Sequence, residues 1–215
     1  VGASNKSTRS IAKSLKKYNC DTYVLHDADL AVSKSKYITE YTLMKASSDI
    51  NVYKDEIIQE IKKHKINVVL PSTDIAIDVI LRFRSEIEAH VKVIGLNVKE
   101  TYKYAHNKYE LVKLSEKIGL KVPSYIYVDK VDQVLPHLTF PVIVKPVSSA
   151  QIINGKYFGY KVILSKGKEN LIDTLRELVP KTPVMIQEYI DGYGIGYNVY
   201  CTDGEVKSEF IHKRL

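Results

Sequence analysis

The first hundred residues alternate between short apolar runs and longer amphipathic stretches. Apolar runs of strand length occur at 22–25, 66–70 and 91–95. Between them, apolar residues such as Ile57, Ile58 and Ile61 recur at the spacing of one helix face, and Asn97 with Glu100 marks a further helix start. Nearly continuous apolar strands that alternate with helices are typical of a parallel sheet covered on both faces. We therefore predict a doubly wound α/β domain over residues 1–100.

The chain opens with Val1-Gly2-Ala3, directly before a helix pattern. We interpret these residues as the end of a first strand, and we expect earlier residues of that strand to precede the given sequence. Ligands of doubly wound sheets bind beyond the carboxyl ends of the strands. The segment Pro71-Ser72-Thr73-Asp74 follows a predicted strand in this way, and Asp74 is equally placed to cap the next helix, which we favour.

The pattern changes from about residue 101, where strands outnumber helices. One amphipathic helix is predicted over 108–118, ended by Gly119, and another over 168–178. Strands are predicted at 124–128, 141–145, 161–164 and 184–187, followed by a hairpin of 197–201 and 208–212. The hairpin turn begins at Thr202-Asp203-Gly204. This mixture predicts a second, α+β domain over residues 101–215.

Composition narrows the class of protein. Of 215 residues, 45% are hydrophobic, which is enough for a packed core, and no apolar stretch has the length of a membrane span. The only two cysteines, Cys20 and Cys201, lie far apart, so we expect no disulfide framework and a cytoplasmic location. The net charge of +7 comes largely from lysines interleaved with apolar residues, as in helix faces exposed to solvent. We therefore expect neither a nucleic-acid nor a membrane partner.

Two lysines in the second half have unusual positions. Lys145 ends the apolar run Phe140-Pro141-Val142-Ile143-Val144 and is followed by Pro146. Because buried charges need a partner, its ammonium is expected to face an anion. Lys108 follows Asn107 at a predicted helix start, where a cation opposes the helix dipole unless an anion is present, although an ordinary surface lysine is the simpler interpretation of this residue alone.

Two further segments offer groups suited to nucleotide binding. Residues 147–160 form a small and polar stretch between predicted strands, beginning with Val147-Ser148-Ser149. Its N–H groups and hydroxyls could bind phosphate, but it lacks the Walker A pattern, and a plain surface hairpin explains it equally well. Residues 185–192, reading MIQEYIDG, form a strand that runs into a glycine turn, where main-chain groups could meet a flat heterocycle.

The order and spacing of these segments resemble those of the ATP-grasp superfamily. The resemblance rests on the Asn107-Lys108 helix start, GLKVPSY, FPVIVKP, the polar loop and VMIQEYIDG. Within the superfamily, QEYIDGYGIGYNVY followed by FIHKRL is most similar to carboxylate–amine ligases of the carbamoyl-phosphate-synthase type. The resemblance implies a Rossmann-like pre-ATP-grasp domain over 1–100 and an incomplete ATP-grasp domain over 101–215, with a lid subdomain at about 122–182.

The resemblance also implies roles for individual residues. ATP phosphates would be held by Lys108 and Lys145, and Ser148 and Ser149 would begin a mobile loop that closes over them. The adenine edge would meet the backbone of Glu188, Tyr189 and Ile190, with Gln187 just before them. Residues 210–215 would line the floor of the cleft, with His212 or Arg214 near phosphate or the acyl substrate. The implied reaction joins a small carboxylic acid to an amine through an acyl phosphate.

The sequence departs from the family pattern in three places. The loop has no Gly-Gly pair, Asn107 stands where many relatives have Asp, and no acidic residue for the ribose follows the adenine segment, which reads Tyr193-Gly194-Ile195-Gly196. The Mg²⁺ ligands of the family are expected beyond residue 215, so we predict no metal ligand in this chain. By itself the chain is expected to bind ATP poorly and to catalyse nothing.

Other functions remain open at this stage. The departures above are compatible with a non-catalytic nucleotide-binding relative. A dinucleotide-binding enzyme is suggested by Val1-Gly2-Ala3-Ser4-Asn5, although GxGxxG is absent. A nucleic-acid binder would have to use the 16 tyrosines, which form no evident stacking platform. A homodimer is an open alternative for the assembly.

Overall fold

The computed structural model describes residues 1–45, 47, 49–95, 99–133 and 136–214, without the side chains of 99–101. The chain forms two compact units. The first contains Val1–Leu120 and Pro146–Val162, and the second contains Lys121–Lys145 and Ile163–Leu215.

The first unit alternates strands and helices, as predicted. Its helices are α1 (Asn5–Lys16), α2 (Ile50–His64), α3 (Asp74–Arg82), α4 (Arg84–Glu88), α5 (Lys99–His106) and α6 (Lys108–Lys117), with a 3₁₀ turn at Ala31–Lys34. Its strands before residue 120 are β1 (Tyr23–His26), β2 (Glu40–Leu43), β3 (Val68–Val69) and β4 (Lys92–Val93). β1 pairs with β2 and β3 pairs with β4, both in parallel. Parallel pairing with helical connections confirms the α/β class.

The first two residues are hydrogen-bonded on both sides. The Gly2 N–H donates to Leu25 O at 2.9 Å, while Val1 O accepts from the Ser72 N–H at 2.9 Å. Gly2 has φ +75°, and a Cβ there would lie 2.2 Å from Thr73 Oγ1. Only glycine therefore fits this close approach between the chain start and the segment after β3.

The core of the first unit lies against α2. Asp49 caps this helix by accepting from the Asn51 N–H, and Lys65, in the left-handed region, ends it. The residues at one-turn spacing, Ile50, Tyr53, Ile57 and Ile61, are buried. They pack with residues of β1, β3, β4, α3 and α4, whose central members are Leu25, Val69, Val79, Ile80, Ile87 and Val93.

The first unit also contains a hairpin contributed by the second half of the sequence. It consists of β7 (Ala150–Ile153) and β8 (Lys156–Gly159), and Asn154 and Gly155 form its turn with φ +50° and +75°. Two positive φ values are the signature of a tight hairpin turn. Ile152 packs against the core of the unit, and Gly155 O accepts from the Ile50 N–H at 3.0 Å.

The second unit is α+β. Its strands are β5 (Tyr125–Val128), β6 (Val142–Pro146), β9 (Ile163–Ser165), β10 (Val184–Glu188), β11 (Ile195–Thr202) and β12 (Glu205–Lys213), and its helix is α7 (Lys168–Leu178). Four strands form one sheet in the order β5-β10-β6-β9, with antiparallel β5–β10 and β6–β9 pairs. β11 and β12 form a separate antiparallel hairpin.

The core of the second unit contains Val128, Val142, Val144, Leu171, Leu175, Val184, Met185 and Ile186.

Several sequence predictions need correction. Strands 66–70 and 91–95 shorten to two residues each, and β2 was missed because its side chains are only half-buried or exposed. Of the two interpretations left open for 147–160, a phosphate-binding loop and a hairpin, the structure contains the β7–β8 hairpin. Asp74 is the first residue of α3, so Thr73 takes the cap position that we assigned to Asp74. Of the predicted Asn97–Glu100 cap, Asn97 and the side chain of Glu100 lie outside the described residues.

Candidate functional site

In the first unit, the candidate residues meet at the start of α6. Asn107 caps this helix, because its side-chain oxygen accepts from the N–H groups of Tyr109 and Glu110, both at 3.0 Å. Lys108 is therefore the first helical residue, and its backbone N–H donates to Val147 O at 2.8 Å. The cap leaves the lysine ammonium on the side of the segment that precedes β7.

Lys108 and Ser149 are in direct contact. The Lys108 Nζ donates to Ser149 Oγ at 2.9 Å, and an antiparallel bridge joins Asn107 to Ser148. Two residues predicted to bind phosphate, from segments about forty positions apart, are thus brought together. The arrangement places an ammonium, a serine hydroxyl and a helix start within one hydrogen-bonded group, which is a suitable set for an anion.

A chain of polar side chains supports this group and was missed by the sequence analysis. His106 Nε2 lies 3.1 Å from Ala150 O, and its Nδ1 lies 3.2 Å from the Tyr102 hydroxyl. Tyr102 in turn donates to Asp78 Oδ1 at 2.5 Å. Burial, followed by the hydrogen bond to Asp78, raises the pKa of Tyr102, so its hydroxyl stays protonated. No sequence pattern indicates that α3, α5 and β7 lie side by side, so only the folded structure could identify this chain of hydrogen bonds.

In the second unit, Lys145 and Gln187 lie on neighbouring strands. Residues of β6 alternate between buried and half-buried, with Val142 and Val144 buried and Lys145 half-buried. Lys145 Nζ donates to Gln187 Oε1, and Gln187 on β10 is 5% exposed. The prediction that Lys145 ends a buried apolar strand is confirmed.

The environment of Lys145 disfavours its charge. Burial lowers the pKa of its ammonium, since water that would solvate the charge is excluded. The amide oxygen of Gln187 offers a dipole but no negative charge. An anion placed beside Nζ would stabilise the ammonium, so the electrostatics favour binding of a group such as phosphate.

The predicted adenine segment lies at the end of β10. The Glu188 N–H donates to Ser124 O at 2.9 Å, which continues the pairing with the β5 side of the sheet. Tyr189 and Ile190 follow the strand and are 45% and 61% exposed. Their main-chain groups are not part of a strand, so they could take an external partner.

His212 and Arg214 belong to the β11–β12 hairpin and the residue after it. His212 lies opposite Gly196, where a Cβ would come within 2.2 Å of its ring, and its Nδ1 is 3.2 Å from Asn198 Nδ2. The Arg214 N–H donates to Gly194 O at 2.8 Å. Among the described residues, no hydrogen bond or ion pair joins His212 or Arg214 to Lys145. Leu215 lies outside the described residues.

The fold matches solved ATP-grasp ligases over nearly the whole chain. An L-amino acid ligase from Bacillus licheniformis superposes with a TM-score of 0.65 at 14% identity, covering 92% of this chain and 45% of the ligase. N5-carboxyaminoimidazole synthetase from Staphylococcus aureus, solved with ADP, gives a TM-score of 0.61 at 14% identity, covering 95% of this chain and 51% of the synthetase. A carboxyaminoimidazole ribonucleotide synthase from Aspergillus clavatus, solved with ATP, gives a TM-score of 0.62 at 14% identity, covering 98% of this chain and 52% of the synthase. The chain therefore has the ATP-grasp fold.

Sequence comparison points in the same direction over a shorter range. The chain is 30% identical over 110 residues to the carbamoyl phosphate synthase large chain of Pyrococcus furiosus, covering 48% of this chain and 10% of the synthase. No family model matches. The chain thus spans about half the length of the solved relatives and a tenth of the synthase. Within the described part of the chain, no helix is both long and apolar enough to cross a membrane.

Proposed function

We propose that the full-length protein is an ATP-dependent ligase that joins a small carboxylic acid to an amine. In this reaction a carboxylate oxygen would attack the γ-phosphorus of ATP, the bond to the bridging oxygen would break, and ADP would leave. The amine nitrogen would then attack the acyl carbon, with loss of phosphate and of the proton on nitrogen. The protein's part in such chemistry is positioning and neutralisation of charge.

The observation that carries the proposal is the half-buried Lys145 in a chain with the ATP-grasp fold. Lys145 is the penultimate residue of the largely buried strand β6. Its ammonium is desolvated, and among the described residues its only hydrogen-bond partner is the Gln187 amide oxygen. Such a cation is poorly placed for a structural role alone and well placed to hold a phosphate oxygen. We assign it to ATP phosphate binding and to stabilising the transferred group.

We propose that Lys108 and Ser149 of the first unit also bind phosphate. Lys108 and Ser149 already share a hydrogen bond, and the start of α6 adds the positive end of a helix dipole. Phosphate oxygens could replace Ser149 Oγ as the acceptor for the ammonium, while the serine hydroxyl turns to donate to the phosphate. Ser148, bridged to Asn107, would hold this segment in register.

We propose the remaining assignments from the resemblance to ATP-grasp ligases. Residues 1–100 would form the Rossmann-like domain that precedes an ATP-grasp domain, and 101–215 would form part of the latter, with a lid at about 122–182. The main chain of Glu188, Tyr189 and Ile190 would meet the adenine edge, beside Gln187. His212 and Arg214 would approach phosphate or the acyl group. We also propose a cytoplasmic location.

Magnesium is general for this reaction class, and we propose that the protein uses ATP together with Mg²⁺. The only cluster of described His, Cys, Asp and Glu side chains with ligand spacing is Glu40, Glu60 and His64, in the first unit. No such cluster adjoins Lys145 in the described part of the second unit. Because Mg²⁺ on nucleotide phosphates commonly takes only one or two protein carboxylates, we name no Mg²⁺ ligand among the described residues.

The proposal is tested by comparing two lysine variants of the full-length protein. Lys145→Met removes the proposed phosphate ligand, and Lys166→Met removes an exposed lysine of the same unit. ATP affinity is measured by calorimetry, and ADP release is followed with panels of carboxylic acids and amines. We expect the first variant to lose at least about a hundredfold in ADP release, as for other charged groups that stabilise a transition state, and the second to be unchanged.

Each outcome has a distinct meaning. Substrate-dependent ADP release that depends on Lys145 would support the ligase and identify its acid. ATP binding without turnover, in the presence of every acid and amine tested, would favour the non-catalytic nucleotide-binding alternative. Absence of ATP binding, or equal activity of the two variants, would contradict the proposal.

The pH dependence of ATP binding offers an independent check. Because burial lowers the pKa of Lys145, its ammonium is lost at a lower pH than that of an exposed lysine. ATP affinity should be full at neutral pH and should fall as the pH rises through this lowered value. Lys145→Met should bind more weakly at neutral pH and lack this alkaline loss, whereas a wild-type affinity that stays constant throughout the alkaline range would exclude the assigned role.

A further inference from the structure

Three side chains far from the proposed ATP-binding residues in sequence converge at the end of α2. Glu60 and His64 lie four residues apart on this helix, and Glu40 opens β2. One ligand atom from each side chain lies within 4.8 Å of the other two. We propose that Glu40, Glu60 and His64 bind Zn²⁺ or a similar divalent transition metal.

The distances are those that a tetrahedral metal ion imposes on its ligands. His64 Nε2 lies 3.2 Å from Glu60 Oε2 and 3.4 Å from Glu40 Oε1. With metal–ligand bonds of about 2.0–2.1 Å, neighbouring ligands of a tetrahedral zinc ion are about 3.3 Å apart. Both oxygens therefore already stand where a shared ion would hold them relative to the nitrogen.

The histidine nitrogen distinguishes this group from an ordinary acidic surface cluster. Nε2 is buried and makes no hydrogen bond among the described residues, although two carboxylates are close. The side chains of His64 and Glu60 are only 12% and 16% exposed. The nitrogen thus faces one oxygen from each of two carboxylates, and a metal ion bound there would replace these two ion-pair contacts with bonds to the imidazole and to both oxygens.

Contacts outside the group fix two of the ligands. The Tyr23 ring stacks on the His64 ring, with centroids 4.5 Å apart, and restricts its orientation. The Thr42 hydroxyl donates to Glu60 Oε2 at 2.8 Å, which leaves the other lone pair of this oxygen for a metal. Supporting contacts of this kind orient the ligands of known metal sites.

Lys63 shows that the group attracts a cation. Its Nζ lies 3.0 Å from Glu40 Oε1 and 3.5 Å from Glu60 Oε1. The side chain is 49% exposed and can therefore turn away into solvent. The ammonium of Lys63 therefore competes with a dication for the same carboxylate oxygens.

The ligand types select the class of metal. Imidazole nitrogen suits Zn²⁺, Co²⁺, Ni²⁺ and Cu²⁺, whereas Mg²⁺ and Ca²⁺ prefer oxygen ligands throughout. A three-residue set leaves the fourth position of a tetrahedral ion for water. A metal here would cross-link the start of β2 to the last turn of α2, independently of any ATP chemistry.

The experiment measures metal binding directly on the full-length protein. Zn²⁺ is titrated by calorimetry, and Co²⁺ serves as a spectroscopic probe whose visible absorption reports four-coordinate geometry. We expect the wild type to bind one Zn²⁺ ion through Glu40, Glu60 and His64. The Zn²⁺ affinity should fall at least about a hundredfold in His64→Ala and in Glu60→Gln, because loss of contacts that only support a metal ligand already costs about 10–100-fold. Circular dichroism verifies that both variants are folded.

Two further variants sharpen the test. Lys63→Met should tighten Zn²⁺ binding about tenfold, because a competing positive charge close to the dication is removed. His90→Ala, which removes an exposed histidine of the same unit, should leave the affinity unchanged. Added Zn²⁺ should raise the melting temperature of the wild type but not of His64→Ala.

Specific results would overturn the metal site. These are the absence of a Zn²⁺ complex, Zn²⁺ binding that is equal in the wild type, His64→Ala and Glu60→Gln, or binding of Mg²⁺ with similar affinity. None of these outcomes depends on ATP, so failure of the metal site and failure of the proposed ligase function are separately visible.

Discussion

The β7–β8 and β11–β12 hairpins have the same turn chemistry and different surroundings. Asn154-Gly155 and Asp203-Gly204 both adopt positive φ values in two-residue turns. The β7–β8 hairpin is held in the first unit by Ile152, which packs against the core, and by the Ile50–Gly155 hydrogen bond. In the β11–β12 hairpin of the second unit, large apolar side chains such as Phe210 are exposed.

The comparison separates two questions that sequence patterns tend to merge. The turn residues determine that a hairpin forms, because few residues other than Gly and Asn tolerate positive φ. The stability of that hairpin depends on what its faces contact, since an isolated two-stranded hairpin is at best marginally stable. We therefore expect the same kind of substitution to have unequal effects in the two hairpins.

The largest difference is expected for a charge placed on each hairpin. Ile152→Asp would put a carboxylate against an apolar core and should lower the free energy of unfolding of the first unit by about 2–3 kcal/mol. The loss cannot exceed the free energy needed to separate the β7–β8 hairpin from this core. Phe210→Asp, at a side chain 65% exposed, should change stability by less than about 0.5 kcal/mol. Urea denaturation followed by circular dichroism measures both. Equal effects would show that burial does not distinguish the two hairpins.

An intermediate difference is expected for the turn glycines. Gly155→Val and Gly204→Val both place a β-branched residue at positive φ, at a local cost of about 1–3 kcal/mol. In β7–β8 this strain also weakens the hydrogen bond from the Ile50 N–H to Gly155 O, so Gly155→Val should lower the melting temperature. In β11–β12 the loss is limited by the small free energy needed to open an exposed hairpin, so the melting temperature should hardly change. A larger drop for Gly204→Val would reverse the comparison.

The smallest effect is expected at the contact between the β7 segment and α6. Ser149→Ala removes the acceptor of the Lys108 Nζ hydrogen bond and should lower the free energy of unfolding of the first unit by about 0.5–1 kcal/mol. Hydrogen exchange of the Lys108 and Tyr160 amides, which donate to Val147 O and Ser149 O, reports whether this segment stays in place. Ser208→Ala, on the exposed hairpin, is the matched control and should leave exchange at these amides unchanged. Unchanged exchange in Ser149→Ala as well would mean that the serine does not help to hold the segment.

Local patterns predicted the second unit well. The helix at 168–178 was predicted with the bounds of α7, and the strand containing Val142, Val144 and Lys145 was found within one residue at either end. These elements have clear periodicity, glycine or proline boundaries and a buried face. The half-buried position of Lys145 followed from its place at the end of an apolar run.

The first unit was predicted less completely. β2 has no buried side chain and so gives no apolar signal, while β3 and β4 pair over two residues each although their apolar runs are longer. The interpretation of 147–160 left a loop and a hairpin open, because docking of Ile152 depends on a core formed by distant residues.

Contacts between distant residues were beyond the reach of sequence patterns. The family resemblance assigned Lys108 and Ser149 separately to the ATP phosphates and did not predict their contact, and the Asp78–Tyr102–His106 hydrogen-bond chain had no local signal. The same is true of Glu40, Glu60 and His64, where only the helical spacing of the last two was visible in the sequence. Tertiary structure decides which polar residues meet.

The central claim, that Lys108 and Lys145 bind ATP phosphates, is tested most directly by labelling with an acyl phosphate of ATP. Such a probe transfers its acyl group to lysine amines beside the bound phosphates, and mass spectrometry locates the modified residues. We predict labelling of Lys108 and Lys145 that excess ATP suppresses, with little labelling of the exposed Lys166. Labelling spread over exposed lysines, or labelling of Lys108 and Lys145 that ATP does not suppress, would contradict the account.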